Sequence, residues 1–93
     1  MKINNILIRK YNDTEGEIIR FKPKGLSIYF DYSTNQGEHF LVIYKYGISK
    51  LVIDNAIIHE IDTERILFSG YLSECINEYH SGEKVDIFCN FNI

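Results

Sequence analysis

Apolar and polar side chains alternate along most of this 93-residue chain, and this period of two is the feature that most restricts its fold. Successive side chains of a strand point to opposite faces of a sheet, so the alternation predicts strands with one buried face. A short β-branched run predicts a strand as well. The segments of these two kinds are Ile3–Arg9, Glu17–Lys22, Gly25–Tyr32, His39–Tyr46, Lys50–Ile53, Ala56–Ile61, Arg65–Phe68 and Lys84–Phe91.

Turn-forming residues separate the predicted strands. Pro23 and Gly25 predict a reversal that makes a hairpin of the second and third segments, because proline fixes φ and glycine is conformationally free. The polar stretch Ser33–Glu38 and the segment Tyr46–Ser49 predict two further turns. Both faces of His39–Tyr46 are apolar at its centre, so we expect this strand in the middle of the sheet.

One segment of the chain changes its period. Over Tyr71–Ser81 the apolar residues recur at i, i+3, i+4 and i+7, namely at Leu72, Cys75, Ile76 and Tyr79. This spacing predicts an amphipathic helix. Ser69 suits the N-cap, because its hydroxyl can accept a hydrogen bond from a free amide of the first turn. Gly82 suits the left-handed conformation that ends a helix.

The order of a strand, a helix and a strand predicts a crossover, so the last two strands should run parallel. The expected fold class is α+β: a mainly antiparallel sheet of five to seven strands, with one amphipathic helix near the C-terminus followed by a final strand. A small barrel capped by the helix is the alternative. A longer helix from Asp62 through Gly70 is disfavoured, because a central glycine costs about 1 kcal/mol relative to alanine.

The length and composition predict one compact domain spanning residues 1–93. The chain has a single proline and no linker-like tract. No apolar run approaches the roughly 18 to 20 residues that a membrane helix needs. Arg9 and Lys10 follow an apolar stretch that is too short for a signal peptide. We therefore expect a cytoplasmic protein that does not associate with membranes.

Metal-ligating residues are too scattered to predict a metal site or another cofactor. No close pair of the zinc-finger type occurs among His39, His59, His80, Cys75 and Cys89. Both cysteines fall on predicted inward faces, where a reduced thiol packs as a small hydrophobe. A Cys75–Cys89 disulfide is geometrically allowed, but a cytoplasmic chain normally keeps such thiols reduced.

Catalytic groupings are equally weak. His59–Asp62 holds a histidine with two carboxylates, and His80–Glu83 holds a histidine with a serine and a glutamate. Both are the polar residues expected where a strand or a helix ends. The six glycines are scattered and each suits a turn or a helix end, so no phosphate-binding loop is predicted. We expect no enzymatic activity.

Charge is distributed unevenly along the chain. Residues 1–50 carry eight Lys or Arg and five Asp or Glu, whereas residues 51–93 carry two and eight, so the halves have charges of +3 and −6. The seven tyrosines exceed what one small core readily absorbs, and tyrosine is common at interaction hot spots. An acidic, tyrosine-rich surface suits a basic partner, such as a nucleic-acid-handling enzyme or a toxin.

The leading functional hypothesis is a small non-enzymatic protein-binding module, an inhibitor or adaptor that blocks a partner protein. The residues predicted to bind this partner are Glu60, Asp62, Glu64, Tyr71, Glu74, Glu78, Tyr11 and Tyr29. A small acidic chain with the residue usage of an AT-rich genome is similar in character to toxin-immunity proteins and phage-encoded anti-defence inhibitors, by analogy and without a matched motif. The same carboxylates also suit a plain solvated surface, and a homo-oligomer is compatible with the sequence.

A basic hairpin offers the alternative function, nucleic-acid binding. Arg20, Lys22 and Lys24 would contact phosphates, with Phe21 or Tyr29 stacking on bases. Phe21 lies opposite Arg20 and Lys22 in the alternation, however, and is expected to face the core. Lysines on an exposed strand edge also serve to discourage aggregation. The net charge of −3 lacks the basic excess of a typical nucleic-acid-binding protein.

Overall fold

A computed structural model of the chain describes residues 2–75 and 81–92. These residues form one antiparallel sheet of seven strands. The strands are β1 (Lys2–Lys10), β2 (Ile19–Phe21), β3 (Leu26–Ser33), β4 (Glu38–Lys45), β5 (Ile48–Ile61), β6 (Arg65–Cys75) and β7 (Lys84–Asn92).

The strand order is β2-β1-β7-β6-β5-β4-β3, so the two edge strands follow one another in the sequence. Only residues 22–25 connect them. A link of this length spans at most about 17 Å. The edges of a flat seven-stranded sheet would lie about 29 Å apart at the usual strand spacing. The sheet therefore rolls up until its two edges approach each other.

The rolled sheet encloses the hydrophobic core on its inner face. Alternate residues of the central strands supply it, as the period of two predicts. The buried cluster consists of Ile6, Ile8, Leu41, Ile43, Leu51, Ile53, Ala56, Phe68, Leu72, Val85, Ile87 and Cys89. Half-buried side chains, most of them from the edge strands β2 and β3, pack against this cluster. They complete the core at the side where the two edges of the sheet meet.

The starts of β1 and β3 face each other across a gap that we call the seam. Its apolar floor is formed by Ile3, Leu26, Ile28 and Phe91, and Lys2 and Lys24 stand at its rim. The alternative fold was a small barrel. The sheet is rolled but does not close into a barrel, because β2 and β3 form no ladder with each other in the described part of the chain.

The predicted helix over Tyr71–Ser81, and with it the α+β fold class, is wrong. Residues 71–75 complete β6: Tyr71 pairs with Asp54 on β5 and with Lys84 on β7. No helix occurs within residues 2–75 and 81–92. The remainder of the helical pattern, at Ile76 and Tyr79, lies outside the described residues.

The physical reason for this error is that two periodicities overlap at Leu72. Ile66, Phe68, Gly70 and Leu72 occupy the inner face of β6 with a period of two, and Leu72 is buried there. Gly70 hides the alternation, because it contributes no side chain to the pattern. Over Leu72–Cys75 the helical spacing therefore coincides with the last residues of a strand.

Gly70 lies in the middle of β6, rather than at a turn or a helix end as the sequence suggested. A Cβ atom added there would lie 2.5 Å from Ile53 Cγ2 and 2.8 Å from the backbone oxygen of Asp54. The pairing of β5 with β6 shifts its register between Asp54 and Ile57, and Asn55 has a φ of 48°. The bulged β5 thus crosses close above Gly70, which lets the sheet curl at this point.

Two predictions about strand pairing are also wrong. β6 and β7 run antiparallel, so they form no crossover. The reversal at Pro23 and Gly25 is present, with the Leu26 N–H donating to the Pro23 oxygen at 3.1 Å, but it joins the two edges of the sheet and not a hairpin. A sequence signal for a turn says nothing about which strands pair beyond it.

The position predicted for β4 is wrong as well, because β4 neighbours the edge strand β3. Its centre is nevertheless buried on both faces, at Leu41, Val42 and Ile43. Tyr29 pairs with Val42 across the ladder, and the Tyr29 and Phe40 rings lie 5.9 Å apart on the same outer face. Aromatic neighbours on the outer face therefore contribute to the burial of Val42.

The turns on either side of β4 are confirmed. Ser33 pairs with Glu38, and Gly37 has a φ of 71°. Lys45 pairs with Ile48 across a two-residue turn, in which Tyr46 and Gly47 have φ values of 53° and 76°. Two positive φ values in succession are the geometry that matches the twist of a tight hairpin.

Substitution of Gly70 tests the close crossing of β5 over β6. Gly70→Ala should lower the free energy of unfolding by about 2 to 3 kcal/mol, because the new methyl group meets backbone that cannot move aside. The expected fall in Tm is at least about 8 °C. Gly16→Ala is the control, since its Cβ meets only the Asp13 carboxyl group. Equal melting temperatures for the two variants would contradict the close crossing.

Candidate functional site

The outer, convex face of β1, β7 and β6 carries rows of side chains that the register brings side by side. Residues paired across antiparallel strands share a face of the sheet. Tyr71 pairs with Lys84, and the N–H of Tyr11 donates to the Lys84 oxygen at 3.1 Å. Leu7 and Leu67 both pair with Phe88, which lies two outward-facing rows from Lys84 along β7. We call the surface formed by Arg9, Tyr11, Arg65, Tyr71, Lys84 and Phe88 the convex patch.

Lys84 holds two tyrosines in place on the convex patch. Its Nζ lies 3.9 Å from the centroid of the Tyr11 ring and 5.9 Å from that of Tyr71. At exposed positions a cation–π contact contributes about 0.5 to 1 kcal/mol. Tyr11 and Tyr71 remain 41% and 40% exposed, so both rings are oriented and yet accessible.

Phe88 forms the second centre of the convex patch. The guanidinium carbons of Arg9 and Arg65 lie 5.4 and 5.7 Å from its ring centroid. The Nε atoms of both arginines are shielded from solvent and have no hydrogen-bond partner. Other nitrogens of these groups are engaged, with Arg9 donating to the Thr14 oxygen at 3.0 Å and Arg65 pairing with Glu60 at 3.2 Å. Each guanidinium is thus anchored at one side and stacked at the other.

Carboxylates balance the cations of this surface. Arg65 pairs with Glu60, and the neighbouring Lys10 lies 3.7 Å from Glu83. Arg9 is opposite Asp86 in the ladder between β1 and β7. The convex face therefore combines exposed aromatic rings with mixed charge and lacks a basic excess.

His59 and Ser69 make a close contact beside the convex patch. The distance between His59 Nε2 and Ser69 Oγ is 2.5 Å. Ser69 is only 2% exposed, so a substrate has no access to its hydroxyl group. Asp86 pairs with Ser69 in the ladder, but its carboxylate accepts a hydrogen bond from the backbone N–H of Asn12 at 3.0 Å. This arrangement anchors the β1–β2 loop and orders the bulge of β5.

The carboxylates predicted to bind a partner do not form one acidic surface. Glu60 pairs with Arg65, and Glu64 is exposed in the turn between β5 and β6. Glu74 pairs with Val52 near the opposite end of β6. Because β6 is an extended strand, about 23 Å separate Glu74 from the row that contains Glu60. Glu78 lies outside the described residues.

Asp62 has a structural role in the β5–β6 turn. Its Oδ1 accepts hydrogen bonds from the backbone N–H groups of Glu64 and Arg65, both at 2.8 Å. These two bonds hold the pKa of the Asp62 carboxyl group below its usual value, because they stabilise the charged form. The side chain is therefore committed to the turn.

The tyrosines predicted to bind a partner divide between two walls of the roll. Tyr11 and Tyr71 meet at Lys84, whereas Tyr29 lies on β3 at the far edge of the sheet. The Tyr29 hydroxyl donates to Asp31 Oδ2 at 2.5 Å, and this hydrogen bond raises the pKa of the Tyr29 phenol. Asp31 correspondingly has a lowered pKa.

Four members of the convex patch were not predicted from the sequence: Arg9, Arg65, Lys84 and Phe88. One signal was available for two of them. Along β7 the residues between the inward Val85, Ile87 and Cys89 must point outward, which places Lys84 and Phe88 on the exposed face. Their neighbours across the sheet depend on the strand order and have no signature in the local sequence.

The residues of the predicted basic hairpin differ in their contacts and in their exposure to solvent. Arg20 Nε pairs with Glu17 Oε2 at 3.0 Å, and Phe21 packs against the core. Lys22 and Lys24 are exposed. Lys45 Nζ donates to the Lys22 backbone oxygen at 2.5 Å. Two of the three cations that were predicted to contact phosphates, Lys22 and Lys24, are therefore available for binding, and they lie beside the seam.

Cys89 is a free, fully buried thiol, as its inward position predicted. Burial raises its pKa to about 11. Cys89 pairs with Ile66, whereas Cys75 pairs with Leu51 nine residues further along β6. At the usual rise per residue the two cysteines lie about 30 Å apart, far beyond the reach of a disulfide.

Comparisons of the chain with protein-family models, with curated proteins and with solved structures found no match. Among the described residues, no group of three or more His, Cys, Asp or Glu side chains could hold a metal ion. No helix long and apolar enough to cross a membrane is found in residues 2–75 and 81–92.

The lowered pKa of Asp62 predicts a pH-dependent contribution to stability. The folded-state pKa lies below the unfolded value of about 3.9, so the contribution is fully present above that pH and is lost as the pH falls through the folded pKa. Asp62→Asn should therefore have a lower Tm than the parent chain at pH 7, and this difference should shrink in strongly acidic buffer. Glu64→Gln is the control, and a difference independent of pH would contradict the role of the charge.

Proposed function

We propose that this chain is a non-enzymatic protein-binding module, an inhibitor or adaptor, that engages its partner protein through the convex patch. The observation that carries the proposal is the pair of exposed tyrosines, Tyr11 and Tyr71, which Lys84 holds on the outer face of the central strands.

The physics of interfaces favours this surface. Tyrosine and arginine are enriched among the residues that contribute most to binding between proteins. A ring that is already oriented loses little conformational entropy when it is buried by a partner. The convex patch offers two such tyrosines next to two arginines stacked on Phe88. Tyr71, Arg9 and Arg65 stand on paired strands, and the backbone N–H of Tyr11, which follows β1 directly, donates to the Lys84 oxygen on β7. The backbone beneath all four residues is therefore held in place.

The charge balance of the convex patch also favours a protein over a nucleic acid. Binding to nucleic acid requires cations that are free to neutralise phosphates. Arg65 and the nearby Lys10 already face Glu60 and Glu83. Polar and charged residues around an aromatic centre are typical of the rim of a protein interface. In this proposal Glu60 and Glu64 belong to that rim, and the acidic residues act by orienting the partner.

Paired tyrosine variants test the proposal. Tyr11→Ser with Tyr71→Ser should weaken the complex by about 30-fold or more in Kd, the effect of losing at least one hot-spot side chain. The matched control is Tyr29→Ser with Tyr32→Ser, since these rings are 48% exposed on β3. The partner is first captured from a lysate of the source cells with the parent chain, and the Kd of each variant is then measured with the purified partner.

Equal affinity of the convex-patch variant and the parent chain would overturn the proposed surface. Loss of affinity only in the β3 variant would move the binding site to the opposite wall. Circular dichroism of both double variants must match that of the parent chain, so that a change in Kd reports the interface and not the fold.

A cluster of lysines at the seam supports nucleic-acid binding as the second candidate function. Lys2 and Lys24 stand at the rim, Lys45 reaches Lys22, and Tyr46 is 63% exposed with Lys45 Nζ 5.7 Å from its ring centroid. Under this function a labelled oligothymidylate should bind with an affinity that falls steeply with salt. Lys22→Glu with Lys24→Glu should abolish this binding, and binding that ignores both salt and these charges would contradict it.

A further inference from the structure

The edge of β3 that faces away from β4 is where the sheet can accept another strand. The Tyr46 N–H donates to the Gly25 oxygen at 2.8 Å. Hydrogen-bonded and non-hydrogen-bonded pairs alternate in an antiparallel ladder. Ser27, Tyr29 and Asp31 therefore turn their backbone polar groups toward β4. The backbone groups of the residues between them point away from β4.

Both ends of this edge are closed by the chain itself. The Leu26 N–H donates to the Pro23 oxygen at 3.1 Å, and the Tyr32 N–H donates to Asp31 Oδ1 at 2.8 Å. Capping of exposed edge donors prevents uncontrolled pairing with other chains. The outward donors left between these caps are the N–H groups of Ile28 and Phe30. The part of the β3 edge with unpaired donors thus begins at the seam, where Ile28 lies.

The chemistry of the seam defines what can enter it. The seam is an open groove of about 760 Å³ over the apolar floor of Ile3, Leu26, Ile28 and Phe91. Lys2 and Lys24 stand at the rim, and no carboxylate is found among the described residues that line it. Asp31 lies further along β3 and repels an anion there. An occupant must therefore place its negative charge at the lysine end.

We propose that the seam is a docking site for an extended acidic segment of a partner protein, which adds as a strand to β3 at Ile28 and Phe30. The segment places apolar side chains over the floor and carboxylates against Lys2 and Lys24. Strand addition supplies backbone hydrogen bonds, and the alternate side chains supply selectivity. A phosphate backbone would use the lysines but would leave the strand edge and the apolar floor unused. This site is separate from the convex patch and does not depend on it.

Titration of the full chain with defined peptides tests this proposal. The probe is the end-blocked synthetic peptide acetyl-Glu-Val-Glu-Val-Ser-Val-amide, which carries both carboxylates in one half, and its binding is followed in the amide spectrum of ¹⁵N-labelled protein. The amides of Ile28 and Phe30 and those around Lys2 and Lys24 should shift, and hydrogen exchange at Ile28 and Phe30 should slow. The matched peptide with lysine in place of glutamate should cause no such shifts.

Charge-reversal variants then distinguish a specific contact with the lysines at the rim from a general effect of net charge. Lys24→Glu should weaken binding of the glutamate peptide about tenfold. Lys50→Glu is the control, because it changes the net charge equally on β5, two strands away from β3. The Tyr11→Ser with Tyr71→Ser variant should bind the peptide like the parent chain, so failure of the proposed interface and failure of this site are distinguishable.

Several outcomes would overturn the docking site. They are the absence of shifts at about 1 mM peptide, where even weak binding is seen, equal binding of the lysine peptide, and equal loss of affinity in both charge-reversed variants. Shifts of the same amides by oligothymidylate, with none by the glutamate peptide, would assign the seam to nucleic acid instead.

Discussion

The short connection between the two edge strands is the constraint on which the rest of this structure depends. Residues 22–25 must join β2 to β3, although five other strands lie between them in the sheet. The link reaches only about 17 Å, so the sheet has to roll. Rolling in turn creates an inner face that encloses the core, a convex outer face, and a seam where the edges meet without pairing. The bulge of β5 over Gly70 is the local feature that allows this curvature.

The two proposed binding surfaces follow from this geometry and differ in their physics. The convex patch is centred on β6 and β7, where neighbouring strands on both sides fix the backbone, and it presents oriented aromatic rings with balanced charge. The seam lies where the sheet ends, and it combines open backbone groups with a floor that belongs to the core and a rim of lysines. The first surface suits the folded face of a partner, and the second suits an extended segment.

Much of the local structure was predictable from the sequence, and little of its arrangement in space. Alternation and short apolar runs located part of every strand, but they divided β5 into two segments and ended β6 at Phe68. Turn chemistry found the hairpins on both sides of β4. The helix prediction failed because Leu72 belongs to two periodic patterns and Gly70 conceals the correct one. Tyr11 and Tyr71 were predicted as binding residues, but their partner Lys84 was not. Their meeting depends on the pairing of β1 with β7, which joins residues from opposite ends of the chain and leaves no local signal.

Nuclear Overhauser contacts across the seam test the rolled sheet most directly. We expect contacts between the methyl groups of Ile3 and those of Leu26 or Ile28, which lie on the same floor. We also expect strand-type backbone shifts for residues 71–75, with cross-strand contacts between Tyr71 and Lys84. Helical shifts over residues 71–75, or a local hairpin ladder that pairs β2 with β3 in place of contacts from β1, would contradict this fold.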